Sequence, residues 1–197
     1  MKFLSASVSM LCIAVFALAG SGVTRRSNVE LVNSAFESAA QPELQRGTLC
    51  SKDETVVFSC PAKRTAKIIS LCGSNDLDKN QGYIQYRYGL PAKTELEFPK
   101  DRRGTQKEFY YAHYFRAQFD QTEISFNNGD YNYRIFDYFQ AETKPATHSQ
   151  GLIVTPPGTK RSSTTIECAT SAKANYGNLG EVLPCDPDST ISPGGCN

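Results

Sequence analysis

From Cys50 to Cys168 the chain is a succession of short runs in which β-branched and aromatic residues alternate with polar ones, the runs separated by turn residues. In an extended chain successive side chains point to opposite faces, so such runs are strands with one buried face, too short and too irregular for helices. They fall at 55–60, 68–72, 83–88, 95–98, 109–119, 122–126, 131–139, 152–155 and 164–168. This count predicts an all-β fold: a small antiparallel sandwich or barrel of eight or nine strands. Asn128-Gly129 is the sharpest turn signal, predicting a type I′ hairpin that pairs Phe126 with Tyr131 and Ile124 with Tyr133. Before the strands, Ser27-Asn28-Val29-Glu30 reads as a capping box, and Val29, Val32, Phe36 and Ala40 recur at helical spacing, predicting a short helix closed by Pro42.

The start of the chain reads as an export signal. Lys2 precedes an apolar run at 11–19 that ends in Ala17-Leu18-Ala19, an A-x-A cleavage pattern. The run is shorter than the ~20 residues a membrane span needs. The expected organisation is a signal peptide over 1–19, an N-terminal helix and linker over 20–47, an all-β domain over 48–170, and a disulfide-stapled tail over 171–197. The expected product is soluble, and secreted or periplasmic. Arg25-Arg26 leaves open a dibasic processing site.

Cleavage removes Cys12 and leaves six cysteines, an even set as an oxidising compartment favours. Six cysteines allow 15 connectivities. Local pattern selects Cys60 with Cys72 across a hairpin, Cys185 with Cys196 around the tail, and Cys50 with Cys168 by remainder. Zinc is disfavoured, because no pair has C-x2-C spacing and the two histidines, His113 and His148, are isolated in sequence.

Charge excludes further classes. With 21 Lys+Arg against 20 Asp+Glu, the chain has no electrostatic footprint for nucleic acid or an anionic membrane. The segment Asp76-Leu77-Asp78-Lys79-Asn80-Gln81-Gly82 has the alternating oxygens of a calcium loop, but Arg87 stands where the closing Glu belongs, so an Asx-rich turn is the expectation. No metal or other cofactor is expected.

Catalytic patterns are thin. Neither G-x-S-x-G, a P-loop nor H-E-x-x-H occurs. His113 alternates with core aromatics and is expected to be a packed, hydrogen-bonded side chain. Glu95, Glu97, Asp120, Glu123, Asp130 and Asp137 are candidate carboxylates, and spacing selects no two of them. No catalytic residue is assigned.

Aromatic residues concentrate between Tyr83 and Phe139. Period two puts Phe109, Tyr111, His113, Phe115 and Phe119 on a core face and Tyr110, Tyr114 and Arg116 on the opposite one. Tyr and Arg are enriched at interfaces, where rigid area and a polar tip combine. A contact face of Tyr83, Arg87, Tyr110, Tyr114 and Arg116 with the loop from Asp76 to Gly82 is therefore expected.

The segments Phe58-Ser59-Cys60, Ile69-Ser70-Leu71-Cys72-Gly73-Ser74 and Gly82-Tyr83-Ile84-Gln85-Tyr86-Arg87-Tyr88-Gly89 resemble a group of small exported bacterial proteins of unassigned function, over residues 48–170. More loosely, the exported, disulfide-pinned β domain with a Gly-to-Tyr segment is similar to the periplasmic lysozyme inhibitors, whose inhibitory loop carries Ser-Gly and a nearby Tyr; here Gln81 precedes Gly82. The resemblance implies a binding protein that occludes an extracytoplasmic hydrolase or a delivered toxin. The alternatives are a carboxylate-dependent envelope hydrolase and a structural or ligand-binding envelope protein.

Overall fold

The structure, a computed structural model, describes residues 43–158 and 162–192. The segment predicted to hold the signal peptide and the N-terminal helix lies outside the described residues, as does Cys196. Among the described residues, ten strands form two antiparallel sheets. The first has the order β10(Lys173–Ala174)-β1(Glu54–Pro61)-β2(Ile68–Ser74)-β3(Ile84–Leu90)-β4(Lys93–Phe98). The second runs in sequence order through β5(Phe109–Arg116), β6(Phe119–Asn128), β7(Tyr131–Gln140), β8(Thr147–Thr155) and β9(Thr164–Glu167). Each of the nine predicted runs overlaps one of β1–β9, although the run 109–119 passes the end of β5 at Arg116 and takes in the turn to β6; the two-residue β10 is the addition. Among the described residues no helix is long and apolar enough to cross a membrane.

One core joins the sheets. Phe58, Ile69, Leu71, Ile84 and Tyr86 of the first sheet meet Phe109, Ile124, Phe126, Ile135 and Leu152 of the second. Phe126 is its hub, with ring centroids of Tyr86, Phe98, Phe109 and Tyr133 all 4.9–5.1 Å away. Such pairs add to the area that burial removes from water.

The β6–β7 hairpin forms with a different register from the predicted one. Asn128 opposes Tyr131, so the two-residue turn is Gly129-Asp130, and Phe126 pairs with Tyr133 and Ile124 with Ile135. Of the two central residues only Gly129 has positive φ, +60°, which is the demand of a type II′ turn with Gly first rather than of type I′.

The disulfides correct the predicted pairing: Cys50 joins Cys72, and Cys60 joins Cys168. In the β1–β2 register Cys60 opposes Ile69 and Cys72 opposes Val56, so the two cysteines are never across from each other. Cys72 instead meets the segment before β1, and Cys60 meets the strand end after β9, tying one sheet to the other. Cys185 is also disulfide-bonded.

The outer face of the first sheet departs most from expectation. Ser59, Ser70, Gln85 and Arg87 alternate with core residues, yet all four are buried, because the segment before β1 roofs them. The Leu49 amide donates to Ser70 Oγ at 2.9 Å, and the Arg87 guanidinium donates to the Leu49 carbonyl at 2.7 Å. The tail is equally integrated. Leu179 and Val182 of the short helix α1(Leu179–Val182) enter the core with Leu183, and Tyr111 exchanges backbone hydrogen bonds with Pro184 and Asp186.

Candidate functional site

The strands of the second sheet are longer than those of the first, at 8–10 residues for β5–β8 against 6–8 for β1–β4. Their core-facing side therefore continues past the core into the open. Along β5 the same face passes from buried Phe109, through half-buried Tyr111, to exposed His113 and to Phe115, which is 70% exposed. The prediction that Phe115 and His113 lie in the core is corrected: alternation assigned the face, but among the described residues nothing covers its outer end.

There the sheet forms an open groove of about 580 Å³, walled on its other side by residues 174–177 of the tail. Both histidines of the chain line it. Register explains the meeting: His113 opposes Thr122, Thr122 opposes Asp137 and Asp137 opposes Gln150, while Phe115, Asp120, Phe139 and His148 form the next row outward. Each imidazole bonds diagonally to a carboxylate on the adjacent strand, His113 Nε2 to Asp120 Oδ1 at 2.8 Å and His148 Nε2 to Asp137 Oδ1 at 2.6 Å. Asp137 is the anchor, its Oδ2 accepting from Gln150 Nε2 and from the Tyr176 hydroxyl, both at 2.8 Å. Burial first, and the Asp137 charge and hydrogen bond second, push the Tyr176 phenol well above its ordinary value, so it serves as a proton donor. Burial also raises Tyr111. His148 and Asp120 gave no sign of this in the sequence beyond being a histidine and a carboxylate, since 147–150 carries no apolar alternation.

The expected contact residues are divided between the sheets. Tyr83 and Arg87 belong to the first. Arg87 is 4% exposed, which corrects its reading as a surface contact: its two terminal nitrogens donate to the two oxygens of Glu54, both at 2.6 Å. Tyr83 donates to Glu54 Oε1 at 2.6 Å and lies under the Arg102 guanidinium. Burial alone would raise the Glu54 carboxyl, but hydrogen bonds from Arg87, Tyr83 and the Ser51 amide outweigh it and hold the pKa at about 2. Asp78 Oδ1 accepts from the Asn80 and Gln81 amides, an Asx turn in the Asp76 to Gly82 loop. Gly82 closes that loop at φ +74°, where a Cβ would stand 2.3 Å from Ser74 Oγ.

Tyr110, Tyr114 and Arg116 lie on the outer face of the second sheet. Tyr110 lines a hollow beside Arg134, Asp186 and Asp188. Tyr114 meets Phe119 edge to face, and Arg116 sits 4.6 Å over the Phe119 ring while pairing with both oxygens of Glu142. The expectation that Phe119 shares the core face is corrected, because the turn after Arg116 sets it opposite Arg116 on the outer face, where Tyr114, Arg116 and Phe119 brace the β5–β6 hairpin end from which Phe115 projects.

Among the described residues one trio of metal-ligating types comes together, buried Cys50, Glu54 and Cys72. Its sulfurs are joined in a disulfide, so it offers a cation no thiolate. Compared with family models, with curated proteins and with solved structures, the chain matches none.

Proposed function

We propose that the protein is an exported binding protein that occludes a protein partner outside the cytoplasm, an inhibitor or immunity protein against a hydrolase such as a lysozyme-like enzyme or a delivered toxin. The observation that carries this reading is the β5–β6 hairpin end. Phe115, 70% exposed, stands on a hairpin held stiff by the Arg116–Glu142 pair and the Arg116–Phe119 contact. A large apolar side chain kept in water on a rigid, projecting support is the form of an interface anchor, because little conformational freedom is lost when it enters a cleft. Tyr114 and Arg116 of the expected contact set flank it, whereas Arg87 contributes from inside the fold.

The experiment is affinity capture from envelope extract with the purified mature protein, followed by assay of the captured enzyme with and without a stoichiometric amount of it. The reading expects loss of the enzyme's turnover, restored when Phe115→Ala replaces the wild type. Turnover of a cell-wall substrate by the purified protein itself, abolished by replacing Asp120 or Asp137, would overturn it in favour of a carboxylate-dependent hydrolase.

A further inference from the structure

The groove between β5–β8 and the tail has a chemistry that the hairpin end does not use. We propose that it is a binding site for a neutral, hydroxyl-rich ligand, a segment of glycan laid across the strands.

Charge comes first. Asp120 and Asp137 line the groove and, among the described residues, no Lys or Arg does, so phosphate, sulfate or nucleic acid would meet like charge in a partly desolvated cleft. A cationic side chain is less well matched than the carboxylates imply. Asp137, 12% exposed at its side chain, already accepts from three donors, and Asp120 is engaged by His113.

Hydrogen-bonding capacity comes second. Asp120 spends Oδ1 on His113 while no hydrogen bond to its Oδ2 forms among the described residues, and both imidazoles, which line the groove, engage Nε2 and leave Nδ1 without a partner among the described residues. A hydroxyl both donates and accepts, so it can satisfy a carboxylate oxygen and an imidazole Nδ1 in turn, whether or not that nitrogen carries a proton. Shape comes third. Phe139 is 39% exposed, with the His148 ring set edge-on to it at 5.9 Å, and Tyr111 and Tyr176 add aromatic walls. Flat apolar rings beside fixed polar groups suit a ring that carries C–H on its faces and hydroxyls on its rim. The site is organised in advance, since Asp137 holds together a side chain from β8 and one from the tail.

The test is calorimetric titration of the mature protein with chitohexaose, cellohexaose and maltohexaose, with hexalysine and a sulfated heparin hexasaccharide as counter-probes. At least one neutral hexasaccharide is expected to bind at micromolar to millimolar strength. Phe139→Ala and Asp120→Ala should each weaken it about tenfold or more, with thermal unfolding within a few degrees of wild type, and Tyr114→Ala, on the opposite face of β5, should leave it unchanged. Failure of all three neutral probes at millimolar concentration would overturn the proposal, as would binding of hexalysine or heparin in their place, or neutral binding indifferent to both groove variants. Because partner occlusion is read from the captured enzyme's turnover and the groove from glycan binding by the protein alone, the two readings stand or fall separately.

Discussion

Glu54 and Arg87, thirty-three positions apart, meet in a two-armed ion pair under the roof of the first sheet, each arm 2.6 Å long. The pair is finished on all sides. Arg87 also donates to the Leu49 carbonyl and to Gln85, and Glu54 receives the Ser51 amide and the Tyr83 hydroxyl. Removing one partner leaves a buried charge unmatched, so Arg87→Ala should destabilise the fold by about 3–5 kcal/mol. Urea unfolding of wild type and variant checks this; a cost near zero would mean that the roof opens and solvates Glu54.

Acid should undo the same pair. Glu54 has a folded pKa of about 2 against an ordinary value of 4.5. Because the folded value is depressed, its contribution is complete above pH 4.5 and fades as pH falls toward 2, with a total on the order of 3 kcal/mol. Glu54→Gln should therefore flatten the fall in stability over that interval, besides its cost at neutral pH. Denaturation midpoints measured at intervals between pH 2 and 7 give both slopes, and parallel slopes would exclude Glu54 as the group responsible.

The disulfides make a connectivity prediction with a ranking. Non-reducing peptide mapping should recover Cys50 linked to Cys72 and Cys60 linked to Cys168, which enclose 22 and 108 residues. On loop-closure entropy the longer crosslink contributes about 5 kcal/mol and the shorter about 3 kcal/mol. Cys60→Ser with Cys168→Ser should then lower the melting temperature further than Cys50→Ser with Cys72→Ser.

Two phenylalanines should separate stability from binding. Phe126→Ala removes the hub of the aromatic core and should cost about 3–5 kcal/mol through lost burial and a cavity. Phe115→Ala removes an exposed ring and should change stability by about 0.5 kcal/mol or less. Calorimetric unfolding of the two variants decides it. A large loss at Phe115 would show that the hairpin end is a structural support.

The strands and the two-faced division of each were legible in the sequence, because alternation is a local property: Phe58, Tyr86, Phe109 and Phe126 declare a buried face from their neighbours alone. The matching signal failed for β8 before Gly151, where Thr147, His148, Ser149 and Gln150 carry no apolar period, and so His148 was not placed beside Asp137. What stands opposite a face is not local. Arg87 is buried because a segment preceding β1 crosses over it, Phe115 is exposed because β5 outruns the first sheet, and both follow their period correctly. Disulfide partners were likewise set by register: Cys60 opposes Ile69, three positions from Cys72, an offset that the composition of neither strand reveals. The sequence by itself determined the elements and their faces; tertiary packing decided which faces are covered and which side chains converge in the groove, since burial depends on what the rest of the chain brings against each surface.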